Sequence, residues 1–244
     1  MSMRRTIAAA LAALTLAGCQ VQTTVGGPTT ARPAPQPVVV ARGPDRIDSA
    51  DAVANFRAAV NRIEPTAEGL CRQRSPRLNC DFRIRVLTDP RLPPNAFQSL
   101  ERDGRPVLTF TRALIAEARN QDEIAFVIGH EAAHHIEQHL ATQRQSAMAG
   151  AAVGGLIGSA LGVDRATIDG LARTGATVGA RRFSKGHELE ADALGTVITA
   201  RAGYDPVRGA AFFARIPDPG DRFLGTHPPN ADRVATVQRV ARGL

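Results

Sequence analysis

The 244-residue sequence has no tryptophan, one tyrosine, one lysine (Lys185) and only three cysteines. Aromatic residues make up 4% of it, too few for a platform that stacks nucleic-acid bases. The formal charge is +7, but apart from Lys185 every basic residue is an arginine, and these are scattered along the chain. That excludes a nucleic-acid stripe and describes a soluble surface with a weak attraction to anionic head groups. No histidine precedes position 130, so Cys71 and Cys80 have no partners for a zinc finger. No stretch rich in Leu and Ile is long enough to cross a bilayer. The uncharged run 146–163 reaches the minimum length but consists mainly of alanine and glycine, which fits close helix packing or a mobile flap better. No internal repeat is visible. What the chain does have is 43% apolar and 22% charged residues, enough to build a packed core.

The N-terminus reads as an address. Arg4 and Arg5 precede an apolar stretch, 7–16, that is too short for a membrane span and right for the core of a signal peptide. It closes on Leu16-Ala17-Gly18-Cys19, which resembles the lipobox of bacterial lipoproteins, in which the cysteine is lipidated and becomes the new N-terminus. Residues 1–18 are thus expected to be a lipoprotein signal peptide and 19–47, rich in Pro, Thr and Gly, a flexible tether. Residues 48–244 are expected to form the folded domain. Gln20 in place of Asp after the cysteine points to the outer membrane rather than the inner. In an oxidising periplasm the two remaining thiols, Cys71 and Cys80, are expected to pair.

Within the domain, Ser49 can cap a helix that carries Val53, Phe56, Val60 and Ile63 on one face and stops at Pro65. Phe82, Ile84 and Val86 alternate with arginines as in a strand, and 105–110 reads as a second strand followed by a short helix. Asn120 caps a longer helix over about 121–143, another helix covers 185–201, Gly203-Tyr204-Asp205-Pro206 is a turn, and helices finish the chain.

The chemistry lies on two of these helices. His130-Glu131-Ala132-Ala133-His134 places two imidazoles at i and i+4, on one helix face, where both reach a single metal ion. Glu131 projects beside them, where it can hold a water molecule. With 6 His and 9 Glu in 244 residues, this pattern arises by chance about 0.005 times per sequence. Zinc catalysis needs a third protein donor and an open position. In the later stretch His187-Glu188-Leu189-Glu190-Ala191-Asp192, Glu188 and Asp192 stand at i and i+4, so one can bind zinc while the other orients a ligating histidine, and geometry alone equally allows Glu190 or His187.

The residues 122–134 with their HExxH, the later Glu188-x-x-Ala191-Asp192, and the terminal His227-Pro228 with Arg233 together resemble the HtpX/BepA-like zinc metallopeptidases, gluzincins related to the CAAX prenyl proteases. Asn95-Ala96-Phe97 and the Gly203–Pro206 turn are similar to that family too. The resemblance covers about 50–240 and is closest to the periplasmic, lipid-anchored branch. It implies a mainly helical α+β zincin-type domain with a small sheet and one zinc ion per chain. Its site would comprise His130, His134 and Glu188 as ligands, Glu131 as general base and Asp192 behind a ligand. His139 matches a recurrent family histidine, whereas His135 is extra and is expected to face away. Arg233 or His227 would meet charge developing on the substrate, and His227 could instead occupy the open metal position as a removable gate. The expected activity is endoproteolysis of unfolded or misassembled envelope proteins laid along a sheet edge, for which strand 105–110 is the candidate. The alternative is a non-proteolytic lipoprotein that docks on outer-membrane assembly machinery.

Overall fold

A computed structural model of the protein describes residues 49–182, 184–215 and 228–244. The signal peptide, Cys19, the tether and His227 lie outside the described residues. The described part opens with α1 (Ser49–Arg74), then β1 (Arg83–Leu87), β2 (Ala96–Leu100) and β3 (Pro106–Thr111), and then the short α2 (Arg112–Glu117). The central helix α3 (Gln121–Ile136) comes next, then α4 (His139–Ala160), α5 (Arg165–Arg182), α6 (Ser184–Arg201), α7 (Pro206–Gly209), a 3-10 turn (Ala210–Ala214) and α8 (Asn230–Ala241). This is the mainly helical α+β domain that the sequence predicts.

Helix α1 does not stop at Pro65 but runs through it. A proline removes one backbone donor and crowds the preceding turn. Here Ile63, Ala67, Leu70 and Cys71 are all buried in the same core, so burial on both sides of the proline outweighs the local defect. A disulfide joins Cys71 near the end of α1 to Cys80, just before β1, as expected.

The sheet has the order β1-β3-β2, with β1 parallel and β2 antiparallel to β3. This corrects the assignment of strand 105–110 as an edge. Every residue of β3 is buried, because it is flanked on both sides, and among the described residues β1 and β2 are the edge strands. Thr111 ties the sheet to both α2 and the loop before β2: its hydroxyl accepts from the Leu114 amide, capping α2, and from the Asn95 amide at 2.9 Å.

Helix α3 is apolar nearly all round and is buried accordingly, with α1 against one side and α6 against another. The Asn120 side chain caps it by accepting from the Glu123 amide at 3.0 Å, and Glu123 accepts in turn from the Arg119 amide at 2.8 Å. The predicted helix over 121–143 is in fact two helices. Gln138, at φ 56°, breaks it in the left-handed region, and His139 begins α4 in a new direction. Helices α4 and α5 form a hairpin in which Gly150 and Gly175 bring the two backbones so close that a Cβ on either would overlap the other helix. The uncharged run therefore serves helix packing.

Candidate active site

Three helices build the site. Helix α3 presents His130, Glu131 and His134, α6 presents Glu188 and Asp192, and α8 presents Arg233. What brings the first two together is a close crossing. A Cβ placed on Gly195 of α6 would stand 3.0 Å from the backbone nitrogen of His130 and 3.1 Å from its Cα. Only glycine allows the helices this approach, and one and two turns before Gly195 lie Asp192 and Glu188.

The Nε2 atoms of His130 and His134 are 3.0 Å apart. The Glu188 carboxylate stands 3.5 Å from the first and 3.4 Å from the second. A tetrahedral zinc ion with bonds of about 2.05 Å holds its ligands about 3.3 Å apart. Two imidazoles and one carboxylate at these separations fit such an ion in both geometry and donor type. Of the third-donor candidates, Glu188 is the one that faces both histidines, while Asp192 stands behind His130. Glu190 and His187 join His139 in a second group, at the flank of the first.

The far side of each imidazole is also engaged. His130 Nδ1 donates to Asp192 at 2.9 Å, which leaves its Nε2 lone pair directed at the other donors. Asp192 is fully buried and accepts both Nε and Nη2 of Arg233, at 2.8 and 2.7 Å. Burial would raise the Asp192 carboxyl, but Arg233 and His130 outweigh it and hold it below the usual range. Burial likewise opposes charge on His130, yet Asp192 and Glu188 lift it to about 9. Asp192 and Glu188 thus place negative charge on both sides of the His130 ring. The Arg233 guanidinium stacks on Phe213, 3.7 Å from the ring centre. It is thus committed to Asp192 and lies within reach of Glu188 at 3.7 Å.

His134 is backed differently. Its Nδ1 lies 2.9 Å from Nδ1 of His139, and His139 Nε2 lies 3.0 Å from the Glu190 carboxylate. Burial, with His134 and His187 nearby, pushes His139 down to about 4, so it is a neutral ring with one N–H and one lone pair. The break at Gln138 is what turns His139 back onto His134. The family resemblance marks His139, but the sequence gives no hint of that break. His135 does face away, as expected: its Nε2 donates to the Asn79 carbonyl at 2.8 Å and its ring stands edge-on to Phe82.

Glu131, 8% exposed, lies at the meeting point of two cavities. One, of about 410 Å³, is lined by Leu114, Phe126, Phe212 and Phe213. The other, of about 310 Å³, is lined by Phe97, Gln98, Gln143 and His187. Both border Asn95 and Ala96 at the start of β2, which is an edge strand among the described residues. Sequence reasoning identified neither this strand nor the phenylalanine-lined cavity.

A helix-borne HExxH with an acidic donor from a later helix defines a metallopeptidase. More specifically, residues 62–241 match the profile of peptidase family M48, and the chain belongs to that family. Residues 3–20 match the lipid attachment site of prokaryotic membrane lipoproteins. The beta-barrel assembly-enhancing protease of Yersinia pestis is 31% identical over 145 residues, covering 54% of this chain and 30% of the relative. A Vibrio cholerae protein provisionally described in the same way is 32% identical over 143 residues, covering 53% and 29%. The mitochondrial metalloendopeptidase OMA1 of Saccharomyces cerevisiae is 27% identical over 171 residues, covering 65% and 46%. The chain spans less than half the length of each of these relatives.

Proposed function

We propose that the protein is a zinc-dependent endopeptidase of the bacterial envelope, with His130, His134 and Glu188 as ligands and Glu131 as general base. The observation that carries this reading is the convergence of those three donors at 3.0–3.5 Å beside a buried glutamate. Zinc held there would bring the pKa of water toward about 7 and polarise a scissile carbonyl. Glu131 takes a proton from the attacking water as its oxygen bonds the carbonyl carbon, and returns it to the amide nitrogen as the C–N bond breaks. Asp192, anchored by Arg233, fixes His130. His139, backed by Glu190, accepts the Nδ1 proton of His134 and fixes that ring. Arg233 is then a positioning residue.

The substrate lies extended along β2, pairing with its free edge and crossing over Glu131. Backbone pairing makes little demand on sequence, while the phenylalanine-lined cavity favours an apolar side chain on one side of the cut. This suits unfolded or misassembled envelope proteins, in keeping with the names of the bacterial relatives. The lipid attachment match supports anchoring through Cys19, on the outer membrane by the Gln20 reading. Metal analysis of the purified protein, with hydrolysis of unfolded casein in the presence and absence of chelator, tests the reading. Glu131→Gln should abolish hydrolysis with zinc content unchanged. Retained hydrolysis in that variant, or a metal-free protein with full turnover, rejects it.

A further inference from the structure

Helix α4 is apolar on both sides and sorts its residues by size, small ones on one face and large ones on the other. Its inner face, Gly150, Gly154 and Gly158, packs on the backbone of α5 around Ile168, Leu171 and Gly175. Its large apolar side chains are left on the outside. Met148, Val153, Leu156 and Ile157 are exposed, and Leu161 extends the patch onto the hairpin turn, with Leu156 and Leu161 each 70% exposed. Between Arg144 and Asp164 the chain carries no charge. Beyond its junctions with α3 and α6, the hairpin makes only slight contact with other described elements. The apolar face is therefore built outward, and no described element packs over it.

From this face we infer a lipid-docking surface: the outer side of α4 and the Leu161 turn lie in the interfacial layer of the membrane that carries the protein's own anchor. Two observations select lipid as the occupant. The chain carries a lipid attachment match ending next to Cys19, and only 29 residues separate Cys19 from Ser49. Even fully extended, that connection reaches at most about 100 Å, which keeps the domain at the bilayer. Residues 145–163 carry no charge, so burying this face strips water from no ionised group, while the exposed Asp164 and Arg165 at the edge of the turn can stay among the head groups. Among the described residues no helix is long and apolar enough to cross a membrane. This inference goes beyond the proteolytic reading and stands whether or not that reading holds.

The absence of tryptophan gives a direct test. The lipidated protein is reconstituted into vesicles of phosphatidylethanolamine and phosphatidylglycerol, with or without brominated acyl chains. Leu156→Trp and Leu161→Trp place a single indole on the apolar face. Thr177→Trp places one on the opposite side of α5, since Gly175 and Gly179 face α4. The expected result is blue-shifted emission at 156 and 161, quenched severalfold by brominated lipid, with emission at 177 unaffected by bromine and open to iodide. Water-like emission at 156 and 161 overturns the proposal. Equal lipid quenching at all three positions also overturns it, by showing crowding of an anchored domain and no docked face. Blue-shifted, iodide-protected emission at 156 without lipid quenching assigns the face to protein, a second copy included, and likewise overturns it.

Discussion

Replacing Gly195 with alanine tests whether the α3–α6 crossing sets the metal site. The new methyl would sit 3.0–3.3 Å from the His130 nitrogen, the His130 Cα and the Gly129 carbonyl carbon, all of them backbone atoms that no rotamer change can move away. Helix α6 must retreat by a few tenths of an ångström, carrying Asp192 and Glu188 with it. Metal–ligand bonds tolerate about 0.2 Å, so a retreat of this size is enough to spoil the donor set. Overpacking a close contact costs about 1–3 kcal/mol, and zinc affinity should fall on the order of tenfold or more. Urea unfolding reads the first quantity and competition with a chromogenic chelator the second. Gly186→Ala is the control: it lies in the same helix with nothing within 4 Å of its Cβ, and should be neutral or stabilising by up to about 1 kcal/mol. Gly195→Ala protein that is destabilised but binds zinc as tightly as before would refute the link between crossing and site. Unchanged stability would refute the tightness of the contact itself.

Further expectations concern individual side chains. Glu188→Ala should cut zinc affinity steeply, whereas Glu190→Ala, whose carboxylate is 64% exposed, should stay within a few-fold of wild type; equal losses in the chelator assay would mean that α6 is read in the wrong register. His139→Leu should weaken zinc binding about 10–100-fold, and His139→Asn should recover part of it, since an amide oxygen can accept the His134 proton; a leucine variant with wild-type affinity would dismiss the role. Replacing both Cys71 and Cys80 with alanine removes a short covalent loop and should lower unfolding stability by about 2.5 kcal/mol, with an unmoved urea midpoint as the contrary result.

The parts of this protein readable from sequence are those governed by local periodicity. The i, i+4 pair His130 and His134, the Asn120 cap and the helix carrying Glu188 and Asp192 all follow from spacing along one helix. The choice between Glu188 and Glu190 does not, because neighbouring acids differ only in which way they face once α6 is packed; the family resemblance proposed Glu188, and in the structure Glu188 is the acid that faces both histidines. Pro65 misled for the opposite reason: a strong local breaker gave way to burial on both sides of it. Sheet order is non-local, so nothing in 105–110 reveals that this strand is central, and β2, five residues behind a proline-rich loop, gives little signal at all. The break at Gln138, with no glycine to mark it, hid the partnership of His134 and His139.

His134 and Glu188 stand 54 positions apart in the sequence, yet meet within hydrogen-bond range of each other, and nearly everything between them belongs to the α4–α5 hairpin. The entropy of closing such a loop grows only with the logarithm of its length, so halving or doubling the intervening chain changes the free energy by about 0.6 kcal/mol. The hairpin is thus an insertion that the metal-binding helices scarcely feel. It can lengthen, shorten or exchange its outer side chains with little consequence for the donors at its base, so where the enzyme works and what it does there are free to evolve on separate schedules.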